Sequence, residues 1–85
     1  MTRIRYVIQD TKLVSKPMLA GTMVITAEID SVANKYSIVD SSGKTLAAGS
    51  AVDLAVAKKM VKTLAQSLGV VFQDEVRRRN AQTSV

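Results

Sequence analysis

The chain has no cysteine, no histidine and no tryptophan, a single proline, and only three aromatic side chains, Tyr6, Tyr36 and Phe72. Without cysteine there is no disulfide and no thiolate metal site. Without histidine there is no imidazole ligand, and the commonest general base near neutral pH is missing. No apolar run approaches the roughly 18 residues that mark a membrane-spanning helix. The opening MTRIRYVIQD breaks its apolar residues with charge, so it has no signal-peptide core. A cytoplasmic location is the default expectation.

What is present is 85 residues of ordinary apolar content, 47%, which is one domain's length. Residues 1–79 read as that domain, and residues 80–85 as a frayed tail. A chain this short buries roughly 60–65% of the surface it exposes when unfolded, so the core is thin. Thin cores lean on disulfides, metals or partner subunits, and the composition leaves the last of these open. The net charge is +5, unevenly distributed. Residues 1–43 carry five basic and four acidic side chains, whereas residues 44–85 carry seven and three. A basic pole suits phosphate or another acidic surface; its plainer use is solubility.

Period-two alternation dominates the first half. In residues 3–8, Ile4, Tyr6 and Ile8 face one way and Arg3, Arg5 and Val7 the other, which predicts a half-buried strand. Residues 10–17 read as a polar connection ending in Pro17. Residues 18–29 predict the longest strand, with Met23, Ile25, Ala27 and Ile29 on one face and Gly21 marking a bulge or bend. Residues 35–39 and 44–48 predict two more strands, separated by the turn Asp40-Ser-Ser-Gly43.

The period then changes. Ser50 reads as an N-cap with Asp53 three residues on, opening a helix over residues 50–68 with Gly69 as its stop. Leu54, Ala57, Val61, Leu64, Ala65 and Leu68 share its core face. Lys58, Lys59, Lys62 and Gln66 share a flank, and Val52 and Val56 lie nearly opposite the core, as a second apolar patch or as tolerated exposure. Val70-Val71-Phe72 after Gly69 favours a strand over residues 70–79, with a helix pairing Phe72 and Val76 as the alternative.

No catalytic constellation emerges. Of the seven carboxylates only Asp74 and Glu75 adjoin, and neighbours in a strand point to opposite faces. No histidine is available to activate a serine. Gly43-Lys44-Thr45 imitates the end of a phosphate-binding loop, but position 38 is Ile38 where that motif needs glycine. The chain is therefore read as no enzyme, with no cofactor, metal or small-molecule substrate expected. Two basic clusters remain: Lys58, Lys59 and Lys62 on the helix, and Arg77, Arg78 and Arg79 after it, with Arg3 and Arg5 two residues apart on the first strand. Lysine attracts phosphate without reading sequence, and arginine can also stack on bases. A solvated helix flank is the bland alternative for the lysines, and Asp74 and Glu75 could balance the arginines. Tyr6 and Tyr36 would be stacking platforms if exposed, but their alternation with Ile4 and Ile38 favours the core.

The opening MTRIRYV and the stretch KPMLAGTMVITAEID resemble a small family of marine phage proteins of cyanophage type, whose fold is similar to the Sm and Sm-like RNA-binding proteins. The resemblance covers the strand-rich first half. It implies a ring formed by edge-strand pairing, single-stranded RNA as ligand, and a part in phage RNA or DNA processing in the cytoplasm of the infected cell. The chain departs from the pattern: it begins with a strand where Sm-like proteins begin with a helix, and its long helix falls between the fourth and fifth strands. The Asp-x-x-x-Asn and Arg-Gly elements of the RNA-contacting loops are absent, so no base-binding position carries over.

The expected fold is mainly β, a small, strongly bent five-stranded antiparallel barrel of Sm/SH3-like type with one helix near residues 50–68. The alternative is an open α+β sheet with C-terminal helices. The expected function is non-catalytic binding of single-stranded RNA or DNA by a homo-oligomer, through Lys58, Lys59, Lys62, Arg77, Arg78, Arg79, Arg3 and Arg5. The competing expectation is a structural or host-partner interaction protein. No membrane partner is expected.

Overall fold

Alternating residues become strands wherever two such segments can be brought side by side by a short turn, and the first 50 residues do this repeatedly. The computed structural model describes residues 3–72. Six strands, β1 (Tyr6–Gln9), β2 (Lys12–Ser15), β3 (Met18–Ala20), β4 (Met23–Asp30), β5 (Lys35–Asp40) and β6 (Thr45–Ser50), precede one helix, α1 (Leu54–Leu68). All pairings are antiparallel. The sheet runs β1-β2-β4-β5-β6, with β3 also on β4. Among the described residues β1 and β6 end this order without pairing to each other, so the sheet formed by these six strands is not closed into a barrel.

Two expected segments are corrected by the structure. The expected polar connection at residues 10–17 contains β2, and the expected long strand at residues 18–29 is two strands folded at Gly21-Thr22. Gly21 is no bulge: at φ +66° it supplies the positive dihedral of a two-residue hairpin loop. The bulge lies one segment earlier. Val14 pairs with Glu28 and Met18 with Ile25, so residues 15–17 stand opposite only 26 and 27. The side chain of Ser15, buried, accepts the Ala27 N–H at 2.8 Å where the ladder is interrupted. Lys16 N–H turns to the Arg5 carbonyl at 2.8 Å, extending the β1–β2 pairing backward. Pro17 has no N–H to leave unpaired. β2 was hidden because Lys12 looks like loop; in the sheet it pairs with Glu28 at 3.0 Å.

The expected strand at residues 3–8 begins only at Tyr6, and Ile8 projects to solvent. The turns after β4 and β5 are closed by acids. Asp30 Oδ1 accepts the N–H groups of Val32 and Ala33, and Asp40 Oδ1 accepts from the Ser42 N–H and hydroxyl and the Lys44 N–H. These bonds hold both carboxyls below the usual carboxylate range.

α1 starts later than expected. Ser50 is the last residue of β6, paired with Lys35, and Asp53 is the N-cap, its Oδ1 accepting the Val56 N–H at 2.9 Å. Val52 therefore precedes the helix. Gly69 ends it as expected, donating to the Ala65 and Gln66 carbonyls. Ala57, Val61 and Ala65 recur every four residues and are fully buried, with Leu54, Leu64 and Leu68 half-buried beside them. Two alanines on this stripe let the helix lie close to the sheet. It covers the face formed by Met18, Ile25, Ala27, Ile29 and Ile38, all inaccessible or nearly so. The expected strand at residues 70–79 is not formed over 70–72: Val70 N–H bonds back to the Ala65 carbonyl, and Val70 and Phe72 complete the core as irregular chain. Residues 73–79 lie outside the described residues.

Candidate nucleic-acid interface

β1 is an edge strand, and α1 crosses the sheet on the same side as Tyr6. The chain before β1, carrying Arg3, Ile4 and Arg5, therefore comes alongside the helix flank that carries the lysines. Two cavities open at this junction. One, of about 780 Å³, is lined by Arg3, Ile4, Arg5, Tyr6, Ile8, Leu13 and Lys58. The other, of about 240 Å³, is lined by Arg3, Ile4, Tyr6, Lys58, Lys59 and Lys62. They share Arg3, Ile4, Tyr6 and Lys58, and together form one groove. Among the described residues, neither cavity has a carboxylate in its lining.

The groove is apolar along Ile4, Ile8 and Leu13 and cationic at its rim. Arg3, Arg5, Lys58 and Lys59 are exposed, and Lys62 is half-buried. Two of the ammonium groups rest over aromatic rings: Lys58 Nζ is 5.8 Å from the Tyr6 ring centroid and Lys62 Nζ is 5.2 Å from that of Phe72. Such contacts offset part of the mutual repulsion of clustered cations. Four of the carboxylates in the described residues act structurally elsewhere: Glu28 on Lys12, Asp30 and Asp40 in turns, Asp53 at the helix cap. None of these four carboxylates lines the groove.

The two tyrosines part company. Tyr36 is buried in the core, which removes it as a stacking platform. Tyr6 is half-buried at the rim of the core, packed against it but lining the groove. Its hydroxyl is buried with no hydrogen-bond partner, and burial pushes its pKa up to about 12.

Of the residues expected to bind nucleic acid, Arg3, Arg5, Lys58, Lys59 and Lys62 are brought together here. Arg77, Arg78 and Arg79 lie outside the described residues. Ile4, Ile8 and Leu13 were not anticipated as lining. The available signal was Ile8, an apolar residue on a strand's core face that is nonetheless 75% exposed; its neighbours in sequence give no warning of that. Among the described residues no cluster of acidic side chains could hold a metal ion, and no helix is long and apolar enough to cross a membrane.

Comparison of the chain with protein-family models, with curated proteins and with solved structures finds no match, so the resemblance to marine phage and Sm-like proteins gains no support from that side.

Proposed function

We propose that this protein is a non-catalytic, self-associating binder of single-stranded nucleic acid, and that the groove between the β1 edge and α1 is where the strand lies. The supporting observation is the convergence of Arg3, Lys58, Lys59 and Lys62 around Tyr6 with no carboxylate among the described lining residues. Cations at the rim neutralise phosphates, while the apolar floor suits unpaired bases, which a duplex would keep stacked away from it. Arg77, Arg78 and Arg79 are a second set of phosphate contacts in this reading.

The test is fluorescence anisotropy of labelled mixed-sequence RNA and DNA single strands. With about four phosphates neutralised, affinity should fall roughly 50-fold between about 50 and 200 mM salt. Replacing Lys58, Lys59 and Lys62 together by alanine should weaken binding to all sequences alike and lower the logarithmic salt slope by about 2. Replacing the three arginines should act in the same way. Native protein that ignores both strands at low salt would remove this reading.

One observation favours a second reading, an assembly or partner-protein surface. Val52 and Val56 remain 84% and 37% exposed, and Met60 continues the stripe one turn on. Val56→Asp should then reduce the particle mass seen by light scattering, with an unchanged circular dichroism spectrum. An unaltered mass would count against this surface.

A further inference from the structure

We propose that the hydroxyl of Tyr6 is the hydrogen-bond donor that fixes one backbone phosphate of the bound strand, gaining on binding the partner it lacks in the free protein. This rests on the groove being the nucleic-acid interface, and it names the group that positions the ligand there. Among the described residues Tyr6 Oη is the one buried side-chain polar atom without a hydrogen-bond partner. Buried hydroxyls are nearly always paired, because leaving one unpaired costs free energy that a phenylalanine would avoid. The atom belongs to a residue that lines both halves of the groove. Lys58 Nζ lies over its ring, and Arg3 and Lys59 line the cavity beside it. Lys58 is exposed, so its side chain can swing off the ring at little cost when an anion draws it outward.

The chemistry selects the acceptor. A phenol that stays protonated is a donor, and a donor on a residue that lines a groove with Arg3, Lys58, Lys59 and Lys62, and with no carboxylate among the described lining residues, is matched by a phosphate oxygen. The lysines and Arg3 attract charge from any direction; a single O–H at a defined place on the sheet sets where along the groove a phosphate comes to rest. Charge would then give attraction and Tyr6 register.

The experiment is Tyr6→Phe, which removes one oxygen and keeps the ring under Lys58. The free variant should be as resistant to urea as the native protein, or more so, because no satisfied bond is lost. Its affinity for a labelled single-stranded RNA should fall about tenfold, with the salt slope unchanged since no ion is removed. The same deficit should appear with an abasic oligonucleotide, which offers phosphates without bases. Native-like affinity of Tyr6→Phe, in a protein whose lysine variant does weaken, would overturn the proposal and leave the groove standing. A marked loss of stability would show that the hydroxyl already has a partner, which also overturns it. A deficit that vanishes on the abasic strand would move the contact to a base and overturn the phosphate assignment. Native protein that binds no strand at low salt would remove groove and proposal together.

Discussion

Phe72→Ala is expected to cost about 3–5 kcal/mol of folding stability. The ring is 1% exposed and is among the largest fully buried side chains of the fold. It enters from irregular chain just past α1, so no strand or helix pairing holds its backbone, and the ring itself ties this segment to the sheet. A chain of 85 residues has a total stability of only about 4–13 kcal/mol. The variant would therefore lose a large share of it, read as a lowered urea midpoint. The effect reaches the groove as well, because Lys62 rests over this ring at 5.2 Å. Phe72→Leu should restore most of the stability, since it refills the volume, but not the seat of Lys62. A urea midpoint unchanged by Phe72→Ala would mean that the ring is not part of the core.

Gly49→Ala is expected to cost about 1–3 kcal/mol by overpacking, a large effect for one methyl group. Gly49 lies in β6 directly across from Tyr36 in β5, and the Tyr36 ring crosses over it. A Cβ on Gly49 would come 2.6 Å from Tyr36 Cζ and closer still to its hydroxyl oxygen. Tyr36 is buried in the core, so moving its ring aside disturbs the packing around it. The backbone of Gly49 is not in the left-handed region, so the penalty is purely steric. That gives a sharp control: Tyr36→Phe removes the atom nearest the new methyl, so the double variant should be less destabilised than the sum of the two single ones. Additive losses in thermal or urea unfolding would contradict the contact.

Much of the local structure was legible. The faces of β4 and β5 follow from Ile25, Ala27 and Ile29 and from Tyr36 and Ile38, and the buried helix stripe from Ala57, Val61 and Ala65, because side-chain period is a property of a few consecutive residues. The turn at Asp40-Ser-Ser-Gly43 and the stop at Gly69 are equally local. Illegibility began where two local signals competed. Ser50 and Asp53 both suit an N-cap; Ser50 was claimed by pairing with Lys35, a contact 15 residues back that no window around the helix contains. Gly21 fits a bulge or a hairpin loop, and the choice depended on whether residues 18–20 could return along β4. β2 was obscured by Lys12, whose ion-pair partner, Glu28, lies on another strand.

The same division runs through the candidate site. The sequence alone determined that the chain has no histidine or cysteine chemistry, that its fold is mainly β with one helix, and that Lys58, Lys59 and Lys62 share a flank of that helix. Each of these depends on composition or on a repeat of two or 3.6 residues. Only the tertiary structure decided that β1 and β6 do not pair, that Tyr36 goes to the core while Tyr6 stays at its rim with an unpaired hydroxyl, and that Arg3 meets lysines more than 50 residues away. The physical reason is distance along the chain: that meeting is set by strand order and by the side of the sheet the helix covers, which no local period encodes.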